Sequence, residues 1–184
     1  LKWQTATRAK ATVPSTAIYA ADPTLLTQID HGIAFAQDQL ARSLSDFGKN
    51  TTQFPLRSNK DGTWATVTAD DWTSGYFGGN LWEMYALTGN SYWKDKATMW
   101  TNPLAGESSQ PGDHASRLLD TFLPLYNATG DANAKSVLLA AAVSKNAQWN
   151  ETVGAFRTVG ITSTSGNPKA NFGVLMDQTA DLEL

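Results

Sequence analysis

The sequence predicts an all-α chain built as an array of helical hairpins. Apolar residues recur at helical spacing, as in Ile29, Ile33, Ala36, Leu40 and Leu44. The segment Tyr85-x-x-Thr88-Gly89-Asn90 returns 41 residues later as Tyr126-x-x-Thr129-Gly130-Asp131. Each copy supplies a glycine stop and then an N-capping residue, the chemistry of a tight turn between helices. Strand signals are thin. Hairpins repeating at this spacing indicate a helical array or toroid.

Taken in order, residues 1–21 show no sustained period and read as an N-terminal arm. Asp22-Pro23 opens a first helix, which runs to about Phe47 and stops at Gly48. Residues 49–71 are polar and hold Pro55, Asp61 and Gly62, a loop with room for a short hairpin around Lys60-Asp61-Gly62. A second helix is predicted over 73–87, with Phe77, Leu81, Met84 and Tyr85 facing inward. Gly75, Gly78 and Gly79 crowd its first turns. Each costs a helix about 1 kcal/mol relative to alanine, so they indicate a close approach of another backbone. A third helix carries Tyr92, Trp93, Ala97 and Trp100 and ends near Pro103. Residues 104–112 read as a loop. A fourth helix, 114–128, should be kinked by Pro124, and a fifth runs from Asp131 to about Trp149. A strand is possible over Ala155–Ile161, and a sixth helix begins near Asp177.

Composition narrows the function classes. Of 184 residues, 41% are apolar and 17% charged, with a net charge of −3. Nothing in that balance attracts nucleic acid or an anionic membrane surface. The longest apolar run, Val137 to Val143, is too short to span a bilayer. Cysteine is absent, which removes disulfides and thiolate chemistry. His31 and His114 lie on separate segments without a paired carboxylate motif, so no metal site and no cofactor are expected. Phosphate-loop, dinucleotide and serine-hydrolase motifs are missing. Three N-x-S/T sequons, at Asn50, Asn127 and Asn150, lead us to expect glycosylation at these positions and secretion from a eukaryote such as a fungus.

Carboxylates remain as candidate chemistry. Asp113 stands between a flexible loop and an apolar helix in Pro111-Gly112-Asp113-His114, where an N-cap is the simplest role. Asp177 follows the apolar stretch Phe172–Met176. An acid pointed into a cavity is kept protonated by desolvation and serves as a general acid, and two such acids suit glycosidic chemistry. On these grounds Asp70, Asp71, Asp120 and Asp131 compete equally.

A family resemblance separates them. Trp72-Thr73-Ser74-Gly75-Tyr76-Phe77-x-Gly79-x-Leu81-Trp82 resembles the W-T-S-G-F-x-x-G-x-L-W signature of the unsaturated glucuronyl hydrolases, glycoside hydrolase family 88, and Tyr85-x-x-Thr88-Gly89 continues it. Trp100-Thr101-Asn102-Pro103-Leu104 resembles the segment before that family's first catalytic aspartate. Asp113 then precedes Thr129-Gly130-Asp131 at the family's spacing. Leu138 to Ala142 with Val153-Gly154-Ala155-Phe156-Arg157 resembles L-x-A-A…V-G-A-I-R. Val174-Leu175-Met176-Asp177-Gln178-x-x-Asp181-Leu182-Glu183-Leu184 resembles V-I-I-D-N-M-M-N-L-E-L.

The resemblance covers about residues 25–184 and implies an (α/α)6 barrel, a six-hairpin toroid of which this chain holds about the first half. It implies a substrate with a 4,5-unsaturated uronic acid at the non-reducing end, as polysaccharide lyases generate, and acid/base hydration of the C4–C5 double bond. Asp177 matches the family's proton donor, Asp113 its partner acid and Trp72 a ring-stacking position. His114, Arg157 and Gln178 are the further substrate-binding residues expected on the same ground. Gly112 stands where the family has His, and Gln178 where it has Asn. Variant readings keep the barrel but make it an unsaturated rhamnogalacturonyl hydrolase, a polysaccharide lyase, or a carbohydrate-binding barrel without catalysis. Six helices do not complete a toroid. Residues 22–184 are therefore expected to form an incomplete catalytic domain that continues beyond Leu184, with the rest of the barrel, on the same or a separate chain, as its partner.

Overall fold

The computed structural model describes residues 23–110, 112–158 and 172–174. Two compact units divide the chain, residues 1–39 and 40–184. Helix α1, Pro23–Phe47, supplies the described part of the first and enters the second. Its predicted bounds hold; Asp22, the expected cap, lies outside the described residues.

Within the second unit a short antiparallel hairpin comes next, β1 (Phe54–Ser58) and β2 (Trp64–Val67). Its turn closes where the sequence places it. Asn59 N donates to Thr63 O at 2.8 Å, Asp61 Oδ1 accepts from the Thr63 N–H, and Gly62 adopts φ +83°. The register shifts between Pro55 and Arg57, a bulge where proline has no N–H for the ladder.

The body of the unit is two helical hairpins. The first joins α2 (Gly75–Thr88) to α3 (Ser91–Thr101), the second α4 (Asp120–Thr129) to α5 (Ala132–Asn146). Their apolar faces meet in one core. Trp100 is fully buried, with the rings of Phe77, Phe54 and Phe47 edge-on to it at 4.8, 5.7 and 5.8 Å. Trp82 Nε1 donates to Thr101 Oγ1 at 2.9 Å, so this indole is satisfied inside the core. Leu81, Leu104, Leu118 and Phe122 fill the space between the hairpins.

The three glycines of α2 behave as their crowding suggests. A Cβ built on Gly75 would collide with Ser116 O and lie 2.7 Å from Arg117 Cα. One on Gly78 would come within 3.1 Å of Thr121 Cγ2, and one on Gly79 within 3.4 Å of Asp120 Cβ. Helix α2 thus lays its backbone against the start of the second hairpin, and at Gly75 that approach is one only a residue without a side chain permits.

Three expectations are corrected. Most of the loop expected over 104–112 is instead a 3-10 helix, Asn102–Ser109, that continues α3. Pro103 suits a first helical turn, and buried Leu104 and Ser108 face inward; the polar composition between them hid the element. The fourth helix does not begin as regular α-helix. Ala115–Leu119 is a π-turn, in which the Asp120 N–H reaches back to Ala115 O. Pro124, which has no N–H for the Asp120 carbonyl one turn back, sits inside α4, after the π-turn. Helix α5 ends at Asn146, short of Trp149, which instead pairs in a two-residue strand, β3 (Trp149–Asn150) against β4 (Ala155–Phe156). Among the described residues the chain is mostly helical, with two small antiparallel hairpins added to the helical array. The possible strand reaches Phe156, and its far end at Ile161 lies outside the described residues, as does the sixth helix.

Candidate active site

The site sits where the two hairpins begin. The chain runs into α2 through Thr68–Ser74 and into the π-turn through Gly112–His114. These two lead-in segments, with Gln53 and the Thr66–Thr68 end of the β-hairpin, line one open cavity of about 500 Å³. The two rims are tied together: Ser116 Oγ donates to Trp72 O at 2.7 Å, and Arg117 donates to carbonyls on both sides, Nε to Asp113 O at 3.1 Å and Nη1 to Asp70 O at 3.3 Å.

Trp72 presents an exposed indole to this cavity, 54% accessible, with Tyr76 edge-on at 5.8 Å. An aromatic side chain of this size is ordinarily covered; here the open face offers a platform for a ring. Asp113, half-buried, lines the same cavity. Trp72 and Asp113, 41 residues apart in sequence, are thus brought to one hollow. Asp177 and Gln178 lie outside the described residues.

The competing acids separate on their surroundings. Asp70 and Asp71 also line the cavity. The Thr68 hydroxyl donates to Asp70 Oδ1 and holds this carboxyl below its ordinary range, helped by its own backbone N–H and by the Arg117 charge. Asp70 is therefore held ionised and suits no proton donation near neutrality. Asp71 Oδ1 accepts from both the N–H, at 2.8 Å, and the hydroxyl, at 2.6 Å, of Thr73, shaping the turn into α2. Asp131 is the N-cap of α5, accepting from Asn133 N at 2.7 Å and Ala134 N at 3.1 Å. Asp120 faces a different cavity, of about 630 Å³, with Tyr76, Glu83, Leu123 and Asn127. There partial desolvation, and secondarily the Glu83 charge, raise its carboxyl above the usual range. Of the acids that share the cavity with Trp72, Asp113 is the one contributed by the second hairpin, facing the Asp70–Asp71 pair from the opposite rim.

Two expected binding residues are placed elsewhere. His114 is fully buried and does not line the cavity; its Nδ1 lies 3.1 Å from Gly112 O. The first turn points its ring inward while Asp113 stays at the rim, as the angular step between successive residues requires. Arg157 lines a third cavity with Trp149, Val153 and Phe172. Its N–H donates to Gln148 O at 2.9 Å beside the β3–β4 turn, so the V-G-A-F-R stretch is a hairpin, not part of the Trp72 cavity. Sequence reasoning missed Arg117. A basic residue one turn after Asp113 in an apolar helix was the available signal.

Asn50 and Asn127 are exposed and Asn150 is half-buried. Asn50 Oδ1 accepts from the Thr52 N–H and hydroxyl, and Asn150 Oδ1 from the Val153 N–H. Among the described residues, no group of His, Asp and Glu side chains could hold a metal ion, and no helix is long and apolar enough to cross a membrane.

The signature at Trp72–Trp82 and the cavity it opens onto invite comparison with known proteins. No protein-family model matches the chain. An unsaturated glucuronyl hydrolase from Formosa agariphila is 29% identical over 126 residues, 64% of this chain and 29% of that protein. The crystal structure of an unsaturated glucuronyl hydrolase specific for heparin superimposes with a TM-score of 0.71 at 27% identity, over 82% of this chain and 39% of the other. Over part of their length, this chain is similar to unsaturated glucuronyl hydrolases in both sequence and fold. The Bacillus sp. GL1 enzyme, responsible for the degradation of glycosaminoglycan, shares the fold with a TM-score of 0.65 at 21% identity, over 82% of this chain and 40% of its own. The described helices therefore align with part of an α/α barrel. The chain spans about a third of the length of these relatives, so the Trp72 cavity is seen with only the walls that residues 53–117 provide.

Proposed function

We propose that the protein is a glycosidase-like hydrolase that removes an unsaturated uronic acid from the non-reducing end of lyase-generated oligosaccharides. The observation that carries this reading is the convergence of Trp72 and Asp113 on one sugar-sized cavity, in a chain whose relatives bear this activity's name. A mutant unsaturated glucuronyl hydrolase from Streptococcus agalactiae has been determined in complex with dGlcA-GalNAc6S.

In this reading the unsaturated ring rests on the open face of Trp72. Asp177 delivers a proton to C4; the C4–C5 double bond opens, and the positive charge that develops at C5 is shared with the ring oxygen. Water adds to C5, and its proton passes to a carboxylate, with Asp113 orienting substrate and water. The product is a hemiketal. Its ring opens, and the rearrangement breaks the bond to the next sugar. An acid and a base placed on one site contribute about 10²- to 10⁴-fold each to such steps.

The test uses the intact protein and unsaturated disaccharides prepared with lyases. Hydration removes the ultraviolet absorbance of the double bond. Asp113→Asn and Asp177→Asn should each lower turnover by about a hundredfold or more and leave the circular dichroism spectrum unchanged. An Asp177→Asn protein as active as the parent would remove the assignment. A rise of absorbance on intact polysaccharide would make the protein a lyase instead.

A further inference from the structure

The Trp72 cavity has one cationic side chain among its described lining residues, Arg117. It is nearly buried, 2% exposed, and three of its N–H groups are accounted for. Its Nε donates to Asp113 O at 3.1 Å; its Nη1 donates to Glu107 Oε2 at 3.0 Å and more distantly to Asp70 O at 3.3 Å. The second terminal nitrogen, Nη2, carries two further N–H groups, and no described residue supplies an acceptor to it. Arg117 lines the open cavity, so an acceptor entering from solvent can meet these N–H groups with a charge-assisted bond.

Gly112 explains how this nitrogen reaches its place. A Cβ on residue 112 would sit 2.5 Å from Arg117 Nη2 and 3.5 Å from Cζ, and the backbone there adopts φ +150°, which residues with side chains rarely take. Glycine at 112 is therefore the condition for the guanidinium to lie under the rim beside Asp113.

We propose that Arg117 Nη2 is the anion-binding group of this cavity, and that it takes the carboxylate of a uronic acid ring lying on Trp72. The inference rests on the functional reading above and names the contact that selects the acid. A sugar hydroxyl could accept the same N–H, but the charge-assisted bond to a carboxylate is about twice as strong. The carboxylate hangs from C5, so anchoring it beside Asp113 brings the C4–C5 bond within one bond of the anchor. Asp70, held as an anion at the opposite carbonyl contact, and Glu107 fix the guanidinium from its other edge.

The experiment compares an unsulfated unsaturated glucuronyl disaccharide with its methyl ester, which keeps the shape and loses the charge, by calorimetric titration of the intact protein. The parent should bind the acid roughly tenfold or more tightly than the ester. Arg117→Gln should bring the acid down to the ester's affinity and leave the ester unchanged. Gly112→Ala, which displaces Nη2 while keeping Arg117, should do the same and serves if the first variant folds poorly. Equal affinity of the parent for acid and ester would overturn the proposal while leaving the functional reading intact. So would an Arg117→Gln protein that loses both ligands equally, because that marks a scaffolding role. A disaccharide whose tight binding depends on an added sulfate and survives esterification would also overturn it. Failure of the parent to bind either ligand would remove the functional reading and this inference together.

Discussion

At the hinge of the α2–α3 hairpin, the Gly89 N–H meets Tyr85 O at 2.8 Å, Thr88 Oγ1 meets Met84 O at 2.7 Å, and φ at Gly89 is +65°. At the hinge of the α4–α5 hairpin the matching values are 2.7 Å, 2.6 Å and +69°. Thr88 and Thr129 each also accept the N–H two residues on, at 3.2 Å in both. The opposite ends share nothing of this. Helix α2 begins with glycines pressed against a neighbour, whereas α4 is preceded by a π-turn and contains a proline. The hinges are closed by bonds among residues within five positions of one another, so the same six-residue pattern yields the same geometry twice. The mouths are shaped by contacts 40 or more residues apart, and there the cavity and its acids lie. π-turns recur at functional sites because the extra residue re-aims the side chains of the turn; here the turn carries Arg117.

The largest effect is expected at a mouth. Gly75→Ala should destabilise the protein by on the order of 3 kcal/mol or more, since the added methyl meets backbone that has nowhere to go. Urea unfolding measures this, with Gly106→Ala as the control, where an added Cβ meets nothing within 4 Å. A small effect at residue 75 would mean that the two hairpins pack less tightly than these distances require. The hinges predict a subtler difference. Asp131 accepts two N–H groups and Asn90 one, so Asp131→Ala should cost about 1 kcal/mol and Asn90→Ala less, read from the same unfolding midpoints. Equal losses would show that the second bond at Asp131 is inert.

The smallest effect concerns pH at the second mouth. Asp120 has its carboxyl raised in the folded protein by desolvation first and the Glu83 charge second. A raised folded value means that the folded state holds the proton longer than the unfolded chain. The penalty for ionising Asp120 is therefore absent below the unfolded value of about 3.9, grows as pH rises through the interval up to the folded value, and persists above it. Asp120→Asn should raise stability slightly at neutral pH and leave it unchanged at pH 3. A variant less stable than the parent at neutral pH would show that the ionised carboxylate is favourable where it lies.

Hinge and mouth also differ in what the sequence reveals of them. The hinge pattern, the α1 bounds, the hairpin at Asp61-Gly62 and the close approach at Gly75 were legible because each depends on local turn chemistry or on the absence of a side chain. The 3-10 helix over Asn102–Ser109 was not, because only Leu104 and Ser108 reveal its buried side and the intervening residues look like a loop. Nor were the placements of His114 and Arg157. Both were expected from a resemblance of neighbouring residues, yet such a resemblance records neighbours in sequence and not which cavity a side chain enters.

By itself the sequence determined the hairpins and their hinges, because capping bonds and apolar spacing act over a few residues. Only tertiary structure decided that Trp72 and Asp113 share a hollow, that Asp70 is held as an anion there, and that Arg117 fills the space Gly112 leaves open. Those outcomes depend on long-range packing of one backbone against another, and burial and charge proximity exist only once that packing is made.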